Sequence, residues 1–522
     1  MAIIKASQKA SVNKNNRESY ELKAKPFSHE LLTTSLLTAL GTVTLVGIHH
    51  RYRKQHRTDA RLQDYVSGIY AQLNALQPAN DLKSSLISFR YACQQATATW
   101  QQAYHMPTND KQTGSNGLTT NAFSAIHTTT LLARPVYWVS GVASMPKDIS
   151  LLHENNENDF GVVGIDAHRD VVWQTTMPER VHDIVLQPVV SDKVNTVDNH
   201  LNHHQSRDVI VLGRRPSESF WVLDSATGQV KFALKAADNR HFYGHACYSL
   251  DGSTLYVTEN ETLSLVGKIG IYDVHSEYEK IAEFDSYGIG PHELIMHSDG
   301  ETLVIANGGI KTEQASREEL NLDTMRPSLV YLNRHDGSLL EQVFPEHNQM
   351  SVRHLAIHND GTVLIGIQFQ GERHINVPLV LTHKRGDTSF QPLSMPNDKW
   401  QRFHQYIASV AIDSERNLLC VTTPIGGCAA IFDLTTYQLI DAVSLLDCAG
   451  AAVCSSKIDN DINNHSESEK SGFMVSDGQG QLTRLCINHS KTVASNMAAK
   501  KYIVTKDSKR HTMSFDNHMQ AL

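Results

Sequence analysis

The sequence has no Cys-x-x-Cys pair, no His-Glu-x-x-His, no Gly-x-Ser-x-Gly and no Gly-rich Lys-Ser/Thr loop. Zinc-ribbon, thioredoxin-like, zincin, serine-hydrolase and P-loop chemistries are therefore excluded in their usual forms. There is no Cys-x-x-Cys-His either, so covalent haem attachment is not expected. Seven cysteines stand at 93, 247, 420, 428, 448, 454 and 486. The odd count leaves at least one thiol free, and the spacing does not by itself establish a disulfide framework. Most lie in apolar runs, where a cysteine behaves as a small hydrophobe. The chain also lacks an excess of positive charge. Its formal net charge is −8, which argues against non-specific nucleic-acid binding. With 40% hydrophobic and 20% charged residues the composition is that of a globular protein, neither disordered nor many-spanned.

Beyond residue 131, helical periodicity is nearly absent too. In its place stand short β-prone runs such as Gly161–Ile165, Asp208–Leu212, Phe220–Leu223, Leu255–Thr258, Ile269–Tyr272, Leu303–Ala306, Val363–Ile367 and Ala429–Phe432. Gly-containing turn signals separate them, notably Asp251-Gly252, Asp299-Gly300, Asp336-Gly337 and Asp360-Gly361. The runs recur as a unit. A histidine comes first, then a short apolar run, an Asp-Gly turn and a β-rich run. The histidine is His245, His292 or His354, and the turn follows six or seven residues later. A period of roughly 40 to 60 residues fits a four-stranded propeller blade with loop insertions. Anchors at His182, His245, His292, His354, Ser409 and Ala449-Gly450 predict six blades. A seventh is expected to close the ring by placing Leu482–Val504 beside Pro135–Val142. Two polar stretches, Ser191–Asp208 and Ser455–Ser471, read as loops grafted onto blades.

The fold class predicted is thus all-β, a seven-bladed β-propeller over 131–510, preceded by two other regions. The first, 1–57, contains Leu31–Ile48, an uncharged apolar run of 18 residues flanked by Lys and Arg. That length suits an export signal or a membrane anchor. The second, 58–121, shows helical spacing at Leu62, Val66, Ile69, Tyr70 and Leu73 and then a polar linker.

In a propeller, equivalent points on successive blades lie on a ring about the axis. His182, His245, His292 and His354 are therefore candidate metal ligands, since imidazole suits iron, copper, zinc and nickel. Iron and copper are the cofactors expected first. Glu293, Arg240, Arg353 and Asn307 are candidate ligand-binding residues, with Asp183 beside His182. The arginines also allow an anion at the same ring. The plainer reading is that each imidazole only ties one blade to the next through a hydrogen bond. Gly213-Arg214-Arg215-Pro216 and Asn307-Gly308-Gly309-Ile310 are further motifs that a channel opening could use. No residue is assigned a catalytic role.

Several long phrases carry a resemblance. "NRHFYGHACYSLDGSTLYVTEN", "GKIGIYD", "EFDSYGIGPHEL", "TLVIANGGI", "LNLDTMRPSLVYL", "SVRHLAI" and "YIASVAID" resemble, in this order, the exported bacterial propellers of domain-of-unknown-function family 1513. The similarity runs from Gly161 to Asp477. It implies a periplasmic propeller, soluble after signal cleavage or anchored to the inner membrane. It also implies an association with iron uptake alongside imelysin-type partners, and no known reaction. The family pattern falls on Arg240, His241, His245, Glu259, Asn260, His292, Glu293, Asn307, Asn321, Arg353, His354 and Ser409. This chain departs from it at Thr312-Glu313-Gln314-Ala315, where a Thr-His-Pro-Asp phrase is usual. It departs again at Thr423-Pro424-Ile425-Gly426-Gly427, where Ser-Pro-Arg-Gly-Gly is usual, and it shows no twin-arginine signal. Two other functions fit the residues: an interaction scaffold with a purely structural channel, and a lactonase-like hydrolase using Glu293 beside His292.

Overall fold

The computed structural model describes residues 126–145, 160–189, 206–312, 319–396, 399–454, 472–489 and 502–522. The apolar run Leu31–Ile48, the helical spacing of 58–121, His200, His203 and His204, and most of the two polar inserts lie outside the described residues. Among the described residues no helix is long and apolar enough to cross a membrane.

The β-prone runs fold into seven antiparallel sheets, six of four strands and one of five. Each of the first six blades is a meander whose first strand is innermost. These inner strands are Val181–Leu186, Arg240–Tyr248, Pro291–Met296, Met350–Ile357, Ser409–Asp413 and Cys448–Cys454 for blades 1 to 6. Each contains one of the six anchors that the repeat predicted. Neighbouring inner strands touch all the way round, and the ring is closed.

The closing blade differs from expectation. Gln481–His489 and Tyr502–Arg510 are the third and fourth strands of blade 6. The innermost strand of blade 7 is Ser514–Ala521, beyond the expected end of the propeller at 510. It pairs antiparallel with Trp138–Ser144, with Trp138 opposite Ala521 and Val142 opposite Phe515. Gly161–Ile165, Val171–Thr176 and the short Thr128–Thr130 complete the sheet. The two ends of the described region thus share one blade. The reason is physical: an open ring would expose two sheet faces and leave an edge unpaired.

Burial falls outward through each blade. In blade 2 eight of the nine inner-strand residues are buried, whereas the outer strand Glu279–Asp285 is mostly exposed. Apolar clusters fill the seams. Ile210, Leu212 and Phe220 of blade 1 meet Phe242, Ala246 and Tyr248 of blade 2. Cys247, Tyr256 and Ile269 of blade 2 meet Leu294, Met296 and Leu303 of blade 3. Trp138, Val142 and Val163 of blade 7 meet Ala452, Cys454 and Met474 of blade 6. No disulfide joins any two of the six cysteines described, and five of them are buried in such seams.

Three of the four Asp-Gly signals are one turn used repeatedly, whereas Asp336-Gly337 joins the third and outer strands of blade 3, with the Gly337 amide donating four residues back to Asn333. The amide of Gly252, Gly300 and Gly361 each donates to the carbonyl three residues back, at 2.9 Å in all three. The Asp carboxylate accepts the amide two residues ahead, from Ser253 at 3.1 Å, Glu301 at 2.8 Å and Thr362 at 2.9 Å. This joins the inner strand to the second strand and fixes the height of the preceding histidine.

Phe515 is 2% exposed at the closing pair and packs in the seam of blades 6 and 7. Phe515→Ala should therefore destabilise the protein by about 3–5 kcal/mol in equilibrium denaturation. A change below about 1 kcal/mol would mean that the seventh blade is not closed by this strand.

Candidate metal centre at the propeller hub

The histidines reach the axis because the inner strands bulge. In blade 1, Val181 lies opposite Gly213 and Asp183 opposite Leu212, so His182 is an extra residue with no partner. Blade 3 repeats this at His292, between Pro291 and Glu293. Blade 4 does so at Arg353, between Val352 and His354. In blade 2 the stretch Phe242–Ala246 spans only Glu259–Val257, placing the irregularity at Tyr243–His245. In blade 7 Phe515–Met519 spans only Val142–Ser140, at Asp516–His518. Blade 6 is irregular between Cys448 and Ala451, and blade 5 is regular. A bulge breaks the alternation of side chains and re-aims one of them. It lets His182 with Asp183, and His292 with Glu293, both serve the hub although they are consecutive.

The result is a cluster of five imidazoles from five consecutive blades: 7, 1, 2, 3 and 4. Ring centroids of His182 and His245 are 4.7 Å apart, His245 and His292 4.7 Å, and His292 and His354 4.9 Å. His518 lies 5.5 Å from His182, 5.1 Å from His245 and 5.3 Å from His354. His245 is fully buried, and His292, His354 and His518 are nearly so. His182 is half-buried. Two donor groups lie within 4.8 Å, His245–His292–Glu293–His354 and His182–His245–His518, and they share His245.

Two carboxylates orient the rings. Asp183 Oδ2 is 3.0 Å from His245 Nδ1, and its other oxygen accepts the Ile184 amide at 2.8 Å and lies 3.7 Å from His518 Nδ1. Glu293 Oε2 is 3.0 Å from His354 Nδ1 and accepts the Leu355 amide at 3.1 Å. The two pairs carry different charge. Burial pushes Asp183 up, but His245 beside it holds the carboxyl below its ordinary value. Burial alone would lower His245, but Asp183 outweighs it and raises the imidazole. This pair is ionic. Burial carries Glu293 to about 8, with His245 opposing and Asp183 adding to the rise. Burial, then the charges of His245 and Arg353, drive His354 well below its ordinary value. That pair is neutral. His182 and His292 are likewise driven down by burial and neighbouring cations, and His518 falls to about 3.

The neutral rings of His292 and His518 present lone pairs within the cluster, and His245 presents one on giving up its proton. Buried His245 Nε2, His292 Nδ1 and His518 Nε2 have no hydrogen-bond partner. Each such orphan costs on the order of 1–3 kcal/mol. His245 and His354 do tie neighbouring blades through Asp183 and Glu293, as the plainer reading expects, but those ties leave these three nitrogens unmet. With Nδ1 of His245 turned to Asp183, Nε2 is its remaining donor to both groups. A cavity of about 370 Å³ adjoins the cluster on the side that follows the histidines along the strands. Asp183, Glu293, His354 and His518 line it, with Ser409, Cys247, Met296 and Met519.

The four histidines proposed from the repeat, and Glu293, are brought together here. Arg353 is buried next to His354. Arg240 and Asn307 are elsewhere. Arg240 lies five residues upstream of His245, roughly 16 Å along an extended strand. Its Nε and Nη2 are bound to Glu283 at 2.9 and 2.8 Å. Asn307, opposite Pro291, donates to the Ser286 carbonyl at 2.8 Å and packs beneath Gly288, while its buried Oδ1 has no hydrogen-bond partner. His518 was not found from sequence. No Asp-Gly turn follows it, because its strand ends the blade instead of starting one. The signal that could have found it is ring closure itself, which calls for an inner strand from the C-terminal run.

Such a fold and hub define a class: a seven-bladed β-propeller with a histidine–carboxylate cluster on its axis. Within it the chain belongs to the family described as "Protein of unknown function (DUF1513)", which matches residues 197–522. That match takes in His245, His292, Glu293, His354 and His518, and stops short of His182. No curated protein matches. Among solved structures the hydrazine synthase of Kuenenia stuttgartiensis is similar, with 16% identity and a TM-score of 0.43 over 62% of this chain and 88% of that one.

Gly244 sits at φ +112°, and a Cβ there would lie 2.4 Å from His182 Cδ2. Gly244→Ala should therefore destabilise the fold by about 1–3 kcal/mol, through backbone strain and displacement of His182. Chemical denaturation measures the loss. A neutral result would show that His182 is not held against blade 2.

Proposed function

We propose that this protein is an exported propeller that holds one first-row transition-metal ion, iron or copper, at its hub. The carrying observation is the convergence of three orphaned buried imidazole nitrogens beside two orienting carboxylates. The donor chemistry fits such an ion. Imidazole nitrogen binds both metals well, and a carboxylate hydrogen-bonded to a ligating ring fixes its orientation and raises its basicity. His245, His292 and His354 supply nitrogens with Glu293 as the carboxylate. His182 and His518 supply the alternative set through the same His245. Asp183 positions His245 and stays charged, which offsets part of the ion's charge. The sulfur atoms of Cys247, Met296 and Met519 along the adjoining cavity add to the case for copper.

The periplasmic setting, the membrane-directed N-terminus and a place in iron acquisition alongside imelysin-type proteins are supported by the resemblance and by the run Leu31–Ile48 alone. They form part of the same proposal.

Elemental analysis of the purified full-length chain should find about one iron or copper ion per chain. A ligand at 100 times its Kd stabilises the native state by about 2.7 kcal/mol. Adding back the metal to chelator-treated protein should accordingly raise the thermal midpoint. His292→Ala and His518→Ala together should abolish both effects. If no ion co-purifies and neither iron nor copper shifts the midpoint, the hub is structural and the scaffold reading takes its place.

A further inference from the structure

The hub has a second side, formed by residues that precede the histidines along the inner strands, and it is cationic. Arg353 lies there, 6% exposed. Its Nε–H donates to Ser351 Oγ at 2.8 Å, its one hydrogen bond among the described residues, and although the charge of Glu319 reaches it, no described carboxylate forms an ion pair with it. Nearby arginines are engaged otherwise. Arg180 makes a two-pronged pair with Asp516 at 2.6 and 2.9 Å. Arg215 lies with its guanidinium 4.6 Å from the Tyr243 ring centroid and donates to the Tyr243 hydroxyl and, at 3.1 Å, to Thr312 Oγ1.

A guanidinium cannot shed its charge, and burying one without a counter-ion is costly. Its four unused N–H donors form the planar fork that matches a carboxylate or a phosphate. The flank of the guanidinium is kept free of a side chain at Gly308. A Cβ at Gly308 would sit 3.0 Å from Ser351 Oγ and 3.5 Å from Arg353 Nε. This gives the Asn307-Gly308-Gly309 motif a reason for its first glycine. The charge of Arg353 reaches His292 and His354, and with those of Arg214 and Arg180 it reaches Tyr406. An anion on Arg353 would therefore interact directly with an ion in the histidine cluster.

We propose that Arg353 anchors a small oxyanion, a carboxylate or a phosphate, on the cationic side of the hub. The anion is the counter-ion that the buried guanidinium lacks. The anion site stands on Arg353 and Ser351; its coupling to a metal rests on the reading of the hub given above. The metal-bearing protein then takes its ligand, or its metal, as an anionic complex.

The test is calorimetric titration of the full-length chain with inorganic phosphate and, separately, with oxalate, before and after chelator treatment, with metal content measured on each sample. At least one anion should bind saturably at one per chain, and the arm that binds more tightly identifies the class. Arg353→Gln should weaken binding by about ten-fold or more, as expected for loss of a forked charged contact. Gly308→Ala leaves the charge in place, narrows the space and should weaken binding several-fold. It gives an independent reading if Arg353→Gln does not fold. Wild-type protein that binds neither anion overturns the proposal, as does a folded Arg353→Gln that binds as the wild type does. Anion binding by a chain that holds no metal supports the site and sinks the metal reading. Retained metal with no anion binding does the reverse.

Discussion

The pairing of Ser514–Ala521 with Trp138–Ser144 is the constraint on which the rest of the molecule depends. It turns six meanders into a ring, and only in a ring do residues hundreds of positions apart meet on an axis. The same pairing puts His518 against His182 and His245, and Asp516 against Arg180. Closure and hub assembly are therefore one event. A chain that failed to close would lose an apolar seam and disperse the imidazoles together.

Burial then sets the chemistry. A solvated imidazole titrates near neutrality, and five in water would carry a mixture of charge states. Packed together in a dry pocket they repel each other's protons, and a single ring, His245, is favoured as a cation because Asp183 stands beside it. Glu293, a carboxyl in the same space, is held toward its neutral form. The hub thus favours charge chiefly on the Asp183–His245 pair and leaves three buried ring nitrogens without a hydrogen-bond partner. On the opposite side Arg353 is buried without an ion pair to any described carboxylate, with only the more distant charge of Glu319 acting on it.

Much of this was legible before any coordinates. The Asp-Gly turns marked inner strands because an Asx-type turn has a fixed sequence requirement, and they placed His245, His292 and His354 at one level. His182 and Ser409 followed from the same repeat. The bulges were not legible. They are a mismatch between two strands, and one strand's sequence does not declare it. Without them His292 and Glu293 would have been assigned to opposite faces. His518 was hidden for a related reason, since the closing strand has no second strand after it to supply the turn. Arg240 and Asn307 entered because one stands near the histidine ring and the other opens a Gly-Gly motif, and their partners Glu283 and Ser286 stand 43 and 21 residues away in the chain, where the motif alone does not lead.

The ring is lopsided. Blades 5 and 6 offer Ser409 and the Ala449-Gly450 pair where the other five offer imidazole, and blade 5 alone lacks the bulge. Donor atoms therefore occupy an arc, not a full circle. A cation seated in that arc would be gripped from one hemisphere, with its remaining coordination positions turned toward small side chains. Sites that merely brace a fold surround their ion completely, while those that exchange ligands leave a face free. On the proposed reading, the two unadorned blades would make this hub of the second kind, a half-socket with a doorway built into its own asymmetry.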